Sequence, residues 1–290
     1  MTYLRSPMNY MGGKHKLLPQ LLPLLPASSR VFVDLFAGGL DVSLNTVAAT
    51  HICVDLNAPV IALYQALQAK PVAEVLAYVE SRVKHFGLSM TNTSGYLRLR
   101  EEYNKAENPL DLFVLVAHSF NHQARFNSSH QFNTPFGKDR SYFNPVMRVN
   151  LVNLVGYLQS HEFEFQCSDF RQVPLNGMGP SSFLYADPPY LISSGTYNDG
   201  TRGFGGWGYK DDSDLMGLLD ALDERGVLWA MSNVTHHKGA SNKRLIAWAK
   251  KYRVHVMEFN YNNSNYQSAA AGAKTREVLI TNYPGSPILE

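Results

Sequence analysis

The run Arg30-Val31-Phe32-Val33-Asp34 is β-branched and aromatic, stops on an acid, and hands directly to Leu35-Phe36-Ala37-Gly38-Gly39. A helical pattern begins near Leu40 and runs toward Ala49, and a second short strand, His51-Ile52-Cys53-Val54-Asp55, again ends in an acid. Strand, glycine turn, helix, strand and acid make a βαβ unit, which commits the chain to a parallel sheet with helices packed on it. The paired glycines let backbone approach a ligand where any Cβ would clash.

Alternation breaks after Ala58. Helical spacing dominates over Val72 to Phe86, Tyr96 to Lys105 and Leu110 to Asn121, with one hairpin expected between Arg125-Phe126-Asn127 and Phe132-Asn133-Thr134. Alternation resumes past Asn144, a suitable N-cap for a helix from Val146 to Gln159. Strands are expected at Phe163–Cys167, Phe183–Asp187, Val227–Ser232, Val254–Phe259 and Glu277–Thr281. Helices at Ser213–Asp223 and Ser241–Lys251 lie between the later ones, each opening on a serine cap. The Gly-, Thr- and aromatic-rich stretch Ser193 to Tyr209 reads as a mobile loop. The 290 residues therefore divide into a catalytic unit (1–57 and 151–290) and an inserted, mainly helical unit (58–150).

Charge excludes little, because a net +2 neither demands nor forbids nucleic acid; local clustering has to decide. Lys138, Arg140, Arg125 and Arg148 give the insert a basic bias that the total conceals. Cys53 and Cys167 have no metal-ligand spacing, so no metal is expected, and they suit a reduced, cytoplasmic setting. The early apolar run Leu17 to Leu25 is broken by Pro19 and Pro23, so neither a signal peptide nor a membrane helix is expected.

The residues at the ends of these strands carry the chemistry. An acid such as Asp55 at the end of the second strand can accept both hydrogen bonds of a ribose diol. Asp34 to Gly39 is neither GxGxxG nor a Walker loop, which favours a nucleoside cofactor without phosphates, and S-adenosylmethionine fits. An ordinary tight turn with solvated acids would look the same in this segment alone. Near the N-terminus, Asn9-Tyr10-Met11-Gly12-Gly13-Lys14 pairs glycines with a base that can reach the cofactor's tail or a phosphate; Lys14 and Lys16 can equally be a solvated patch.

After the apolar run Phe183-Leu184-Tyr185-Ala186 comes Asp187-Pro188-Pro189-Tyr190. An aromatic exocyclic amine is a poor nucleophile because its lone pair is delocalised into the ring. Asp187 and the Pro188 carbonyl can each accept one amine hydrogen, Pro189 fixes that carbonyl's direction, and Tyr190 can stack on the base. A base treated this way must leave the duplex. In the insert, Phe120 stands close to Arg125, a wedge beside a guanine reader, although Phe120 alone would pass as helix core.

These segments together resemble the Dam-type DNA adenine methyltransferases, bacteriophage members above all. The markers are Asn9 to Lys14, Phe32 to Gly39, Val54-Asp55, Leu97 to Asn104, Asn133-Thr134-Pro135-Phe136-Gly137, Asp187 to Tyr190 and Ser232-Asn233-Val234. The resemblance implies an α/β fold: a Rossmann-like, seven-stranded methyltransferase core with an inserted helical target-recognition domain carrying a β-hairpin. It implies methyl transfer from S-adenosylmethionine, leaving S-adenosylhomocysteine, to the exocyclic amine of a flipped adenine in double-stranded DNA, within GATC. Catalysis would fall to Asp187, Pro188, Pro189 and Tyr190. Tyr10, Lys14, Asp34, Phe36, Ala37, Gly38, Gly39, Asp55, Asp169, Phe170 and Asp187 would line the cofactor site. Asn9, Phe120, Asn121, Gln123, Arg125, Asn133, Pro135, Lys138, Asp139 and Arg140 would face DNA, with the enzyme acting as a monomer or weak dimer.

Three positions depart from that pattern. Asn9 stands where bacterial relatives place a lysine, Gln123 replaces an apolar residue, and Asp139 replaces a basic or aromatic one. They bear on the recognition sequence rather than the chemistry. The rival readings are methylation of RNA or of a protein amide, and a DNA-binding regulator without activity. Asp rather than Asn at 187 and the hairpin-bearing insert argue against a protein amide, and the full set of catalytic residue types argues against the regulator.

Overall fold

The structure is a computed structural model describing residues 3–10, 12–192, 206–258 and 275–285. Its strands, in chain order, are β1 (Ser29–Asp34), β2 (Ala48–Asp55), β3 (Glu162–Cys167), β4 (Ser182–Ala186), β5 (Leu228–His237), β6 (Ala240–Ser241), β7 (Arg253–Met257) and β8 (Arg276–Thr281). Seven of them form one path, β3-β2-β1-β4-β5-β8-β7, and β6 folds back on β5. Neighbours from β3 through β5 are parallel, whereas β8 runs antiparallel between β5 and β7.

Strand sequence and sheet position agree. Central β4, SFLYA, is buried throughout because helices and loops cover both faces, whereas edge strand β3, EFEFQC, starts with strict alternation of exposed and buried residues. The period of two also sorts the core. Phe32, Phe183 and Tyr185 face α1 (Leu18–Leu21), while Val33, Leu184 and Ala186 pack on the opposite side.

α2 (Ala58–Ala69) lies along the β2–β3 edge, where Gln65 and Gln68 Nε2 donate to the Phe165 and Phe163 carbonyls at 3.0 and 2.9 Å. α3 (Val72–Phe86) and α4 (Thr93–Ala106) then surround α5 (Pro109–His118), which is buried from Leu110 to its end. Arg82 on α3 places Nε and Nη2 on the two oxygens of buried Asp111 at 2.8 and 2.7 Å and reaches Glu102 on α4 at 2.6 Å. One planar fork thus ties three helices, a geometry lysine cannot reproduce. α6 (Pro145–Ser160) returns to the sheet, and α7 (Tyr209–Glu224) and α8 (Lys243–Trp248) cover the face holding Val33 and Leu184. Among the described residues no helix is long and apolar enough to cross a membrane.

Asparagine is the recurrent cap: Asn57, Asn92, Asn108, Asn144 and Asn242 each accept a backbone N–H from the first turn of their helix. Asn144 is the cap expected from sequence. The two serine caps are not. α7 opens four residues before Ser213, and the Asp211 carboxylate accepts the Gly208 N–H at 2.8 Å, while Ser213 Oγ donates back to the Tyr209 carbonyl. At α8 the cap is Asn242, because Ser241 belongs to β6.

The helix expected from Leu40 to Ala49 is a single 3-10 turn, Ser43–Asn45. Leu40 has a left-handed φ of 62°, Ser43 Oγ donates to Asp34, and Asn45 binds both backbone atoms of Leu4. Polar side chains that bond elsewhere in this way compete with the helical ladder. β5 runs to His237, past the expected Ser232, because β8 and β6 extend its pairing. The expected loop Ser193–Tyr209 lies outside the described residues up to 205, and its final residue opens α7; Phe259, the expected end of β7, lies outside them as well.

Candidate active site and nucleic-acid interface

β1 and β4 are parallel neighbours whose chains continue to opposite sides of the sheet, to β2 and to β5. The crevice outside their carboxyl ends is where an α/β sheet of this kind opens for ligands. β1 delivers Asp34 to it and β4 delivers Asp187.

Asp187 is met there by residues from both ends of the chain. Lys14 Nζ lies 2.6 Å from Asp187 Oδ2, and their side chains are only 5% and 18% exposed. The same ammonium donates to the Gly12 carbonyl at 2.8 Å and stands 3.7 Å from Glu277 Oε1. Tyr190 folds back so that its hydroxyl reaches Asp187 Oδ1 at 2.9 Å and Glu277 Oε1 at 3.1 Å, with Lys14 Nζ 5.2 Å from its ring centre. One ammonium and one phenol are therefore shared by a buried carboxylate, Glu277, and a half-buried one, Asp187. Burial disfavours the Lys14 ammonium, but Asp187 and Glu277 outweigh it and hold its pKa above the ordinary lysine value. Burial raises the pKa of Asp187 and of Glu277, and Lys14 pulls both back toward the charged form.

Glu277 has no counterpart in the expected site. Its only signal in the sequence is an acid placed at the head of the apolar run Val278-Leu279-Ile280. Trp207 likewise falls in the segment Ser193 to Tyr209, which the sequence presents only as a loop.

The glycine turn sits against Tyr10. A Cβ built on Gly38, whose φ is +44°, would lie 2.9 Å from Tyr10 Cε1, and one on Gly39 would lie 2.8 Å from Tyr10 Cβ. The Gly38 N–H donates to Asp55 Oδ2 and the Asn57 N–H to Oδ1, both at 2.8 Å, so Asp55 is held rigidly. The Ala37 N–H is bonded to the Val54 carbonyl. Asp34 is buried; Oδ2 accepts Ser43 Oγ at 2.6 Å, whereas Oδ1 has no hydrogen-bond partner among the described residues. Burial, with the nearby Asp187 and Asp55 charges adding to it, lifts the Asp34 pKa to about 7 despite the Ser43 bond. Phe36, Phe170 and Trp207 form an aromatic trio with ring centres 5.5–5.7 Å apart. Asp169 caps the turn carrying Phe170 by accepting the Arg171 N–H at 2.9 Å.

A cradle with close glycine backbone, a fixed acid, an aromatic wall and an unpartnered buried carboxylate oxygen suits a nucleoside with a cationic tail. S-adenosylmethionine is such a molecule. Gly38→Ala should weaken its binding by about tenfold, because strained backbone at a positive φ costs on the order of 1–3 kcal/mol and Tyr10 must also move. Calorimetric titration of the cofactor checks this; an unchanged dissociation constant removes the turn from the site.

The residues expected to face DNA are Asn9 and a set within the segment 120–140 that follows α5. α5 ends at His118, and the next turn places Asn121 and His122 in the left-handed region, with φ of 56° and 53°. Two adjacent non-glycine residues in that region signal a turn held by its surroundings. The hold comes from Asn9, whose N–H donates to the His122 carbonyl and whose Nδ2 donates to the Asn121 carbonyl, both at 3.1 Å. Phe120 is thereby left 40% exposed beneath the Arg140 guanidinium, 4.9 Å from its ring centre. Asn9, Asn121, Arg125, Asn133, Pro135, Lys138 and Asp139 are also exposed, and Gln123 is half-buried. The expected hairpin is present in minimal form: Phe126 bridges Phe132, flanked by bonds from the Asn127 N–H to the Gln131 carbonyl and from the Asn133 N–H to the Arg125 carbonyl.

Known proteins are similar to this chain in sequence. The type II methyltransferase M.FokI of Planomicrobium okeanokoites is 42% identical over 97% of this chain, and the modification methylase StsI of Streptococcus sanguinis is 42% identical over the same share. The chain spans 43% of the length of each. The DNA N-6-adenine-methyltransferase of Escherichia phage P1 is 28% identical over 86% of this chain and 32% of its own length. The family described as D12 class N6 adenine-specific DNA methyltransferase matches residues 10–263, from Tyr10 through the glycine turn and the Asp187 tetrapeptide. The chain belongs to that family of D12 class N6 adenine-specific DNA methyltransferases.

Proposed function

We propose that this protein transfers a methyl group from S-adenosylmethionine to the exocyclic amine of an adenine turned out of double-stranded DNA. The observation that carries the reading is Asp187, at the carboxyl end of β4 beside the switch point, with Lys14 2.6 Å from one oxygen and Tyr190 2.9 Å from the other. The cofactor, when bound, supplies an electrophilic methyl on a sulfonium. Asp34, Asp55, Phe36, Phe170 and the Gly38-Gly39 backbone hold and orient it. Asp187 and the Pro188 carbonyl accept the two amine hydrogens, which draws the nitrogen toward a tetrahedral geometry with an available lone pair. Accepting those bonds suffices for the transfer, and the proton that the methylated, cationic amine must then shed passes to solvent, so Asp187 need not keep it. Orientation and electrostatic support dominate, since the methyl group is already activated.

The block 58–150 is the DNA-facing part in this reading, anchored to the sheet through α2 and α6. Phe120 enters the stack as the base leaves, and Arg140 over its ring adds charge near the phosphates. Arg125 reads a guanine, and Arg125→Ala should lower discrimination between cognate and single-substituted duplexes by about 1–3 kcal/mol. Undiminished discrimination returns Arg125 to a surface role. The names of the two relatives at 42% identity, a type II methyltransferase and a modification methylase, support this reading.

Label transfer from tritiated cofactor to unmethylated duplexes with and without GATC, beside RNA, tests the reading. Label in adenine of DNA is the expected result. GATC is the site inferred from the Dam-type resemblance, and label in duplexes lacking it overturns that site while leaving the chemistry intact. Label in RNA alone, or in nothing, overturns the function itself.

A further inference from the structure

Tyr190 offers one hydroxyl proton to two carboxylates, Asp187 Oδ1 at 2.9 Å and Glu277 Oε1 at 3.1 Å. Lys14 likewise stands between Asp187 Oδ2 at 2.6 Å and Glu277 Oε1 at 3.7 Å. A phenol can donate to only one acceptor at a time, so the pair has two arrangements that differ by small movements. In the observed one, both Asp187 oxygens are engaged by the protein's own donors.

We propose that Glu277 is a positioning residue of the transfer site, the second acceptor onto which Lys14 and Tyr190 move when Asp187 turns its oxygens to the target amine. The inference rests on the reading that Asp187 receives an adenine. Glu277 is suited to act as a fixed post. It is 7% exposed and sits on β8, which is paired on both sides, at Val234 of β5 and Met257 of β7. Lys14 and Tyr190 sit on irregular segments and not on sheet strands, and can follow. The charges also require a second carboxylate. Were Asp187 the sole partner of a buried ammonium, it could not loosen its contact without stranding that charge; with Glu277 behind, Lys14 keeps a counter-ion throughout. Glu277 lies beyond the segment 10–263 matched to the family, so nothing in that match assigns it a role.

The test compares the full chain with Glu277→Gln, which keeps shape and one acceptor oxygen but no charge, and Glu277→Ala, which keeps neither. Turnover should fall at least tenfold in the glutamine variant and further in the alanine variant. The cofactor dissociation constant and the fluorescence of 2-aminopurine at the target position should stay within about twofold. A second readout needs no turnover: the carboxyl carbon of Asp187, followed by NMR, should titrate at lower pH in Glu277→Gln, because Lys14 then pairs with Asp187 alone. Turnover within twofold of the parent, or an unmoved Asp187 titration, overturns the proposal. If the parent chain labels no DNA, the methyltransferase reading fails instead, and the Asp187 titration still decides whether Glu277 shares Lys14.

Discussion

Asp187→Ala lowers the rate of methyl transfer by a factor on the order of 10²–10³, the loss that follows removal of one preorganised polar group aimed at the reacting centre. Cofactor binding should stay within about threefold, because the residues that cradle the nucleoside, Asp55 and the Gly38-Gly39 turn, lie on β2 and the loop after β1. Alanine here is also safer than it looks. Lys14 would lose its 2.6 Å partner, yet Glu277 already stands 3.7 Å away and can take over the ammonium, so no buried cation is orphaned. The variant should therefore fold, and a rate loss can be assigned to the amine contact rather than to collapse of the site. Single-turnover label transfer at saturating cofactor and duplex measures it, and parental turnover in the variant would take Asp187 out of the mechanism.

Parts of this architecture were legible in the residues and parts were not, for physical reasons. The helix over Val72 to Phe86 keeps its apolar stripe and ends on Gly87 at a φ of 59°, so its two signals, periodicity and a left-handed C-cap, agree. The strand Phe183 to Ala186 is apolar throughout because both its faces are covered. The segment after Gly39 misled because Ser43 and Asn45, harmless to helical periodicity, spend their side chains on Asp34 and Leu4 instead. In the site, Asp187 and Lys14 were each visible by motif, but their ion pair was not. It joins residues far apart in the chain through a sheet whose strand order no local pattern encodes. Glu277 was hidden more deeply. It reads as an ordinary strand residue until β8 inserts antiparallel beside β5 and brings its carboxylate to Tyr190. Asn9 shows the same lesson in the insert: expected beside DNA, it also bonds the strained turn that presents Phe120.

Lys14→Met should cost more stability than any other single change at the site. The substitution leaves half-buried Asp187 and buried Glu277 together without the cation both lean on, and breaking a buried ion pair from one side costs about 3–5 kcal/mol. For a domain of this size the melting temperature should drop on the order of 10 °C near neutral pH. The dependence on pH gives the effect its signature. Burial already raises both carboxyl pKa values above their ordinary range, and removing Lys14 removes the group that pulled them down. A carboxyl whose folded pKa exceeds its unfolded one makes the folded state bind protons more tightly. The stability it confers is thus full in acid and is lost as pH rises through the folded value. The variant should accordingly approach the parent in mild acid and fall away from it toward neutrality and above. Adding Glu277→Gln should restore part of the loss, because one neutral and one acidic side chain repel less than two acids. Thermal unfolding across pH 5 to 8 of the three proteins checks the argument, with the range set by where raised carboxyl pKa values fall. A deficit independent of pH, or no recovery in the double variant, would mean that Lys14 stabilises the protein through packing and not through its charge.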